Sequence, residues 1–277
     1  MFRLGWFSTA RGPTSQALLA AAWNAIKLGD IPAEIEFVFC SRERGESAET
    51  DKFLDQAEGY GIPLLTLSFT RFRAAHGGQG MGLEGTSFAS WRKAYDQEVL
   101  SLLNNYAPDL AVLAGYMLVM TPELCLRLPT INLHPAAPGG PAGTWQQVIW
   151  KLIEDRAKNS GIRMHLVTPA LDEGPIISYC TYSLQGNGFG KFWNAVKGAD
   201  ISTLKKTHGE EHPLFIRIRE EGIKRELPMI LATIKAFSQG RISVRNGALL
   251  DSGGSPITAC DLTEEIEAAV ASKSASL

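Results

Sequence analysis

The sequence predicts an α/β fold built on a doubly wound, mostly parallel sheet with helices on its faces. Through the first two thirds of the chain, short apolar runs alternate with amphipathic helical patterns, the order that parallel strands with crossover helices produce. The run over residues 109–114 is almost continuously apolar, as expected for a strand covered on both faces. Runs of this kind predict strands over residues 2–7, 33–40, 63–67, 109–114, 130–133 and 163–167.

Helical periodicity predicts helices over residues 14–28, 51–60 and 91–105, with Thr14 as a candidate N-cap of the first. Residues 213–239 form a pattern typical of one long amphipathic helix or a helix pair. Residues 241–250 resemble a small hairpin with Asn246 and Gly247 at its turn, and the chain is predicted to finish in a short helix and a frayed tail.

Two stretches interrupt this pattern, residues 69–90 and 185–212. Both are rich in glycine and polar residues, so we predict irregular inserts, for which a lid role and a plain surface insertion remain open. The domain prediction is therefore a single domain over residues 1–250 that carries these inserts, followed by a C-terminal tail over residues 251–277.

The composition is that of an ordinary globular chain, with 45% hydrophobic and 20% charged residues. A formal net charge of -2 offers no general attraction to nucleic acid or to an anionic membrane. No apolar stretch reaches the roughly 18 residues that span a bilayer, and no signal peptide is evident, so a cytoplasmic location is expected. The cysteines match no zinc or redox spacing and are expected to be buried thiols: Cys40, Cys125, Cys180 and Cys260.

The most informative motif is Asn132-Leu133-His134-Pro135, at the end of a predicted strand. Residues two apart in a strand point to the same face, and ligands of open α/β sheets bind at the carboxyl ends of strands. Asn132 could donate a hydrogen bond to an oxygen that becomes negative, and His134 could move a proton near neutral pH. Alone the motif is weak, because both residues could simply terminate a strand.

A second motif, Leu171-Asp172-Glu173-Gly174-Pro175-Ile176-Ile177, follows the strand that contains His165. An Asp before Gly-Pro is compatible with a plain turn. An Asp delivered beside a His would instead raise the pKa of the imidazole and could relay protons through water. Asp172 is therefore the third candidate catalytic residue.

These motifs, together with Leu113-Ala114-Gly115-Tyr116-Met117 and His165-Leu166-Val167-Thr168, occur in one order that resembles the formyltransferase family. The clear resemblance covers about residues 95–184. It implies a Rossmann-like formyltransferase fold, here with a C-terminal helix and a small hairpin. It also implies transfer of a formyl group from 10-formyltetrahydrofolate to an amine without a metal, and the acceptor that it favours is glycinamide ribonucleotide of purine biosynthesis.

The resemblance also implies roles for individual residues. Asn132 would donate to the oxyanion, His134 would polarise the formyl oxygen or shuttle the proton, and Asp172 would organise His134. The folate would lie against a loop and a strand-end segment that together include Met117, Leu118, Val119, Met120, Thr168 and Leu171.

The loop after the first strand is a candidate phosphate site. Backbone N–H groups near Gly12 and at the start of the next helix, with the Thr14 and Ser15 hydroxyls, could bind a phosphate, and Arg11 could add charge. Gly115 completes this set of candidate acceptor-binding residues. The loop departs from the Gly-x-Gly-Ser-Asn pattern of the purine enzymes, and an ordinary strand-to-helix turn stays the alternative. The loop after His134-Pro135 departs too, with Ala136-Ala137-Pro138-Gly139-Gly140 in place of Ser-Leu-Leu-Pro.

Several other functions remain open. A formyltransferase for a nucleotide-linked amino sugar or another amine is the main alternative. A methionyl-tRNA formyltransferase is disfavoured, because there is no room for an RNA-binding barrel after Leu250 and no basic stripe. A formyltetrahydrofolate hydrolase is disfavoured because its regulatory domain precedes the first strand, and the joint presence of Asn132, His134 and Asp172 argues against a silent binding module. Small molecules are the expected partners, without nucleic acid or membrane, and a homodimer is left open.

Overall fold

The structure is a computed structural model that describes residues 1–84, 87–170, 172–186, 188–245 and 247–274. Its strands are β1 Phe2–Ser8, β2 Ala33–Cys40, β3 Leu64–Thr66, β4 Leu83–Glu84, β5 Ser87–Phe88, β6 Leu110–Leu113, β7 Thr130–His134, β8 Asn159–Leu166, β9 Ile176–Ser183, β10 Ile242–Arg245, β11 Ala248–Asp251 and β12 Cys260–Asp261. Its helices are α1 Pro13–Lys27, α2 Ala48–Gly59, α3 Phe69–Ala75, α4 Ser90–Leu102, α5 Pro122–Arg127, α6 Trp145–Glu154, α7 Phe189–Ala195, α8 Ile201–His208, α9 Pro213–Ser238 and α10 Thr263–Ser274.

The chain forms two compact units, each assembled from three separate segments. The first comprises Met1–Asn132, Leu166–Pro175 and Lys235–Gly254, and the second comprises Leu133–His165, Ile176–Ile234 and Ser255–Leu277. No helix in the described part of the chain is long and apolar enough to cross a membrane.

The first unit contains parallel strands in the order β7-β6-β1-β2-β3. Strands β1 and β6 lie inside this order and are mostly or wholly buried, which explains their nearly uninterrupted apolar sequences. The rings of Phe7 on β1, Phe37 and Phe39 on β2, and Tyr116 just after β6 pack edge-on or tilted against one another. The second unit contains the strand order β12-β9-β8, in which β8 and β9 are antiparallel and β9 and β12 are parallel. The predicted α/β class with a mostly parallel sheet is confirmed.

The predicted N-cap of the first helix is wrong. Gly12 is the N-cap of α1 and makes no side-chain cap, while Pro13 starts the helix and Thr14 lies inside its first turn. Proline suits this position because its φ is already helical and the N–H it lacks has no partner inside the helix. Thr14 is therefore exposed on the first turn instead of closing it.

The prediction that residues 69–90 are irregular is only partly right, because the stretch begins with helix α3. Ser68 caps that helix by accepting a hydrogen bond from the Arg71 amide at 3.1 Å. The glycines that follow lie against the indole of Trp91: a Cβ added at Gly78 or Gly82 would be 2.6 Å from this ring. Glycine thus lets the backbone cover a large aromatic ring, and β4 pairs with β5 beyond it.

The prediction that residues 185–212 are irregular is wrong for most of that stretch, which forms α7 and α8. Phe189 is buried in the second unit, and the indole N–H of Trp193 donates to the Leu184 carbonyl at 2.7 Å. Asp200 caps α8 by accepting from the Ser202 amide at 3.1 Å. Local aromatic packing and a cap outweigh the glycines that suggested a loop.

The C-terminal predictions are largely confirmed. Residues 213–239 form one long helix, α9; β10 and β11 form the antiparallel hairpin; and α10 is the final helix. Asn246 of the predicted turn and residues 275–277 of the predicted frayed tail lie outside the described residues. Outside the two stretches predicted to be irregular, α5, α6 and the two-residue strand β12 also had no counterpart among the predictions.

Candidate active site

The loop that follows β1 is joined to the segment that follows β6. The Thr9 amide donates to the Gly115 carbonyl at 3.0 Å, and the Met117 amide donates to the Thr9 hydroxyl at 2.9 Å. Gly115 has a φ of 72°, and a Cβ there would lie 3.0 Å from the Ser15 Oγ. Glycine is therefore required at 115 both by its left-handed backbone and by the close approach of α1.

The start of α1 offers few donors to an anion. Pro13, its first residue, has no N–H, and the Ser15 amide already donates to the Gly12 carbonyl at 3.1 Å. Ser15 is also buried, whereas Arg11 just before the helix is exposed. The structure thus places Ser15 against Gly115, while the first turn of α1 has few N–H groups left for an anion.

A cavity of about 330 Å³ opens beside this loop within the first unit. Its walls combine cationic, hydroxyl and apolar side chains: Thr9, Arg11, Ser41, Arg42, Phe69, Thr70, Arg73, Met81, Met117 and Leu118. Three arginines line the cavity, and its described lining residues include no carboxylate. Arg42 and Arg73 come from after β2 and from α3, which sequence reasoning did not connect to the site.

A buried ion pair on α4 contacts the backbone of the predicted folate segment, Met117 to Met120. Arg92 and Asp96 of α4 are 1% and 0% exposed, and their Nη1 and Oδ1 atoms are 2.5 Å apart. Arg92 also donates to the Val119 carbonyl at 2.6 Å, and Asp96 accepts from the Thr121 amide at 2.7 Å. This pair fixes the path of the segment, and the sequence analysis missed it because its partners are backbone groups more than 20 positions away.

The side chains of the segment differ in accessibility. Met117 is 54% exposed, Val119 is half-buried, and Leu118 and Met120 are buried in the hydrophobic core of the first unit. A ligand here would therefore meet the Met117 side chain and backbone groups more than a continuous apolar surface. Two of those backbone groups, the Met117 N–H and the Val119 carbonyl, already have protein partners.

Asn132 and His134 lie at the carboxyl end of β7, as predicted. Asn132 is half-buried and pairs in register with Leu113 of β6. His134 is 3% exposed, and its Nε2 lies 3.1 Å from the Pro141 carbonyl oxygen. A carbonyl can only accept a hydrogen bond, so Nε2 carries the proton in this contact.

The loop after His134-Pro135 is small because β8 packs closely against it. A Cβ added at Gly161 of β8 would lie 2.8 Å from the Ala137 Cβ and 2.4 Å from the Cys180 carbonyl oxygen. Arg163 donates to the Ala137 carbonyl at 3.2 Å. The alanines and glycines that depart from the family pattern thus fit a glycine on β8, and the loop they form supplies the carbonyl that orients His134.

Asp172 lies in the first unit, in the loop Leu166–Pro175. Val167 donates to the Thr130 carbonyl at 2.7 Å, so the loop runs from the base of β7. A Cβ on Gly174 would lie 1.7 Å from the Leu166 carbonyl oxygen, which requires glycine there. Asp172 has a φ of 57°, an uncommon backbone for this residue type that Asp tolerates better than most.

Two predicted folate residues belong to this same loop. The Thr168 hydroxyl donates its proton to the Ala170 carbonyl at 3.0 Å, within the same loop. Leu171 lies outside the described residues. Among the described side chains, no group of three or more His, Cys, Asp or Glu residues could hold a metal ion.

The first unit therefore brings together Arg11, Gly12, Ser15 and Gly115 with Met117 and Leu118. It also contains Asn132 and Asp172, and His134 belongs to the second unit.

Several known proteins have sequences similar to this chain. Phosphoribosylglycinamide formyltransferase from Schizosaccharomyces pombe is 29% identical over 174 residues, 60% of this chain and 75% of that protein. The protein of the same name from Escherichia coli is 30% identical over 164 residues, 57% of this chain and 64% of that protein. Formyltetrahydrofolate deformylase from Escherichia coli is 39% identical over a shorter alignment of 88 residues, 31% of each chain.

Solved structures show the same fold over nearly the whole chain. Glycinamide ribonucleotide transformylase 1 from Symbiobacterium toebii has a TM-score of 0.58 at 22% identity, covering 90% of this chain and 93% of that one. Formyltetrahydrofolate deformylase from Burkholderia mallei has a TM-score of 0.59 at 18% identity, covering 91% and 70%. A family model described as formyl transferase matches residues 12–182, more than half of this sequence. The chain therefore belongs to the formyl transferase family, in which 10-formyltetrahydrofolate is the formyl donor.

Proposed function

We propose that this protein transfers the formyl group of 10-formyltetrahydrofolate to the amine of glycinamide ribonucleotide. The observation that carries the proposal is the arginine-lined cavity beside Gly115 and Met117. An acceptor with a phosphate needs cationic and hydroxyl groups in its binding site, whereas water as the acceptor needs none. The two phosphoribosylglycinamide formyltransferases described above, which align over more than half of this chain, support the same acceptor.

Three residues would carry the chemistry. The Asn132 side-chain amide would donate a hydrogen bond to the formyl oxygen as negative charge develops on it. His134 would polarise the formyl oxygen or move the proton of the attacking amine. Asp172 would orient and charge His134, the role that the family resemblance gives it.

The folate would use the loop and segment on either side of these residues. Its pteridine would pair with backbone groups of the Met117-to-Met120 segment and of the Thr168–Asp172 loop, where Leu171 is also expected to contribute. The fit is reasonable because the segment exposes the Met117 side chain, and because the Arg92–Asp96 pair holds its backbone in place before any ligand binds.

The second candidate function is hydrolysis of 10-formyltetrahydrofolate. It is favoured by one observation, the 39% identity to a formyltetrahydrofolate deformylase over 88 residues. The two functions share a formyl donor and differ in the acceptor, which is an amine in one case and water in the other.

A single assay separates these functions. The purified protein is incubated with 10-formyltetrahydrofolate alone, with glycinamide ribonucleotide, and with other amines that include a nucleotide-linked amino sugar, and folate absorbance is followed. We expect turnover only with an amine and fastest turnover with glycinamide ribonucleotide. Equal turnover without any amine would establish a hydrolase, and faster turnover with the amino sugar would establish the alternative acceptor.

A further inference from the structure

The arginines of the first unit fall into two groups that differ in their partners. Arg44 contacts Asp55 and Glu58 at 2.6 Å each, and Arg71 contacts Glu43 at 2.7 Å. Their charges are therefore balanced by neighbouring carboxylates. Arg42 and Arg73 each stand two residues away from one of these, but they line the cavity instead.

Arg11, Arg42 and Arg73 form no ion pair with a carboxylate in the described part of the chain, so the cavity concentrates positive charge. Arg73 is positioned for this: it donates to the Gly80 carbonyl at 2.7 Å, and its guanidinium carbon lies 5.8 Å from the centre of the Phe69 ring. Arg42 and Arg73 are both half-buried, which reduces the screening of their charges by solvent.

Hydroxyl groups complete the polar wall. The Thr9 Oγ1 accepts from the Ser41 hydroxyl and from the Met117 amide, at 2.9 Å each. A hydroxyl has two lone pairs and one proton, so both acceptor positions of Thr9 are occupied and its proton is left for an acceptor of its own. Thr9 and Ser41 are buried, so this arrangement is pre-organised.

The start of α1 is a poorer anion site than this cavity. It lacks the N–H of Pro13, and the Ser15 amide is already bonded to Gly12. The Thr14 and Ser15 side chains do not line the cavity, whereas Arg11 does. An anion near Arg11 would therefore find more donors on the strand-end side of the loop than on the helix side.

We propose that Arg42 and Arg73, with Arg11, bind the phosphate of the acceptor in this cavity and so select phosphorylated amines. This inference rests on the proposed function and refines it: the phosphate lies against side chains that follow β2 and in α3, and not on the first turn of α1. The volume of about 330 Å³ is at the lower end for small-molecule sites and suits a sugar phosphate.

The direct test is calorimetric titration of inorganic phosphate into the full chain at constant ionic strength. We expect Arg42→Gln and Arg73→Gln each to weaken phosphate binding by about tenfold, because each removes a charge-assisted hydrogen bond. Arg44→Gln and Arg71→Gln are matched controls that remove the same charge two residues away, and they should change binding less than twofold. Circular dichroism and melting temperature establish that each variant is folded.

Steady-state kinetics separates this inference from the proposed function. Arg42→Gln and Arg73→Gln should raise KM for glycinamide ribonucleotide about tenfold and leave KM for 10-formyltetrahydrofolate nearly unchanged. If phosphate binding depends on Arg42 and Arg73 but glycinamide ribonucleotide is not formylated, the cavity assignment stands and the acceptor is another phosphorylated amine.

Three results would overturn the cavity assignment. The first is that the unmodified protein binds no phosphate. The second is that the matched controls weaken binding as much as the cavity variants do. The third is that glycinamide ribonucleotide is formylated with an unchanged KM by Arg42→Gln and Arg73→Gln, in which case the proposed function holds and the first turn of α1 is the phosphate site.

Discussion

The imidazole of His134 donates through Nε2 to the Pro141 carbonyl, which restricts how this residue can act. With a proton held on Nε2, the Pro141 carbonyl fixes the orientation of the imidazole ring. The Pro141 carbonyl thus accepts the hydrogen bond that a carboxylate accepts from histidine in many other sites. The sequence could not predict this, because the contact depends on how residues 135–144 fold back.

Asn132 is proposed to act in the transition state more than in substrate binding. Asn132→Ala should lower kcat by about 100-fold or more and change both KM values little, since an oxyanion donor acts mainly on developing charge. Initial rates at varied concentrations of each substrate give both constants. The exposed Asn104 offers a matched control, and Asn104→Ala should be fully active. A variant that loses affinity at unchanged kcat would contradict the assigned role.

His134 and Asp172 are expected to act as one unit. If Asp172 orients and charges His134, then His134→Ala and Asp172→Ala should each cost orders of magnitude in kcat/KM, and the double variant should cost little more than the worse single one. A double-mutant cycle measures this coupling. Additive losses in the cycle would show that the residues act independently and would remove Asp172 from the proposed role.

At the scale of secondary-structure elements, α4 fixes the backbone that follows β6 through two buried side chains. Its residues Arg92 and Asp96 bind each other, the Val119 carbonyl and the Thr121 amide inside the first unit. A helical spacing of four places both side chains on one face, which the sequence shows. It does not show that this face meets the segment after β6, because that contact is set by tertiary packing.

Removing one partner of this pair should destabilise the protein strongly. Asp96→Ala leaves the buried Arg92 charge without its carboxylate, which costs about 3 kcal/mol or more in the free energy of unfolding. Urea denaturation followed by circular dichroism measures the change. Asp155→Ala removes a carboxylate from an exposed pair of the same spacing, Lys151 with Asp155, and should change stability little.

The double variant Arg92→Met with Asp96→Ala should recover part of the lost stability, because no unpaired charge remains. If Asp96→Ala is as stable as the unmodified protein, the pair does not hold the segment. A second readout is KM for 10-formyltetrahydrofolate, which should rise in Asp96→Ala because the Met117-to-Met120 backbone is no longer fixed.

The glycine-rich stretch after α3 shows where element prediction from sequence fails. Gly78 and Gly82 indicated a loose loop, and the structure instead places their backbone on the Trp91 ring. No local sequence pattern predicts that these glycines contact Trp91, because the contact is set by tertiary packing. Phe189 and Trp193 give the same lesson in residues 185–212, where tertiary burial stabilises α7.

For the molecule as a whole, the strand and helix alternation was sufficient to predict the α/β class. The continuously apolar sequence of β6 fits a strand covered on both faces, and Asn132 and His134 fall at the carboxyl end of their strand, where open α/β sheets bind ligands. The division of the chain into two units was not predictable, because each unit combines three segments that are far apart in sequence.

The cysteines offer a measure of the integrity of both units together. Cys40 and Cys125 belong to the first unit and Cys180 and Cys260 to the second, and none of the four, all of them described, forms a disulfide. Burial raises the pKa of the Cys40 thiol to about 12 and those of Cys125 and Cys180 to about 11, whereas Cys260 is only half-buried.

A thiol with a raised pKa is protonated near neutral pH, and the thiolate is the form that attacks a disulfide reagent. In the folded protein near pH 8, we therefore expect at most one thiol, Cys260, to react rapidly with an aromatic disulfide, and all four to react in strong denaturant. The released aromatic thiolate is followed by its absorbance, and Cys260→Ser is the control that should abolish the fast phase. Two or more fast thiols in the folded protein would mean that at least one unit opens readily, because the slow cysteines are shielded only by the packing around them.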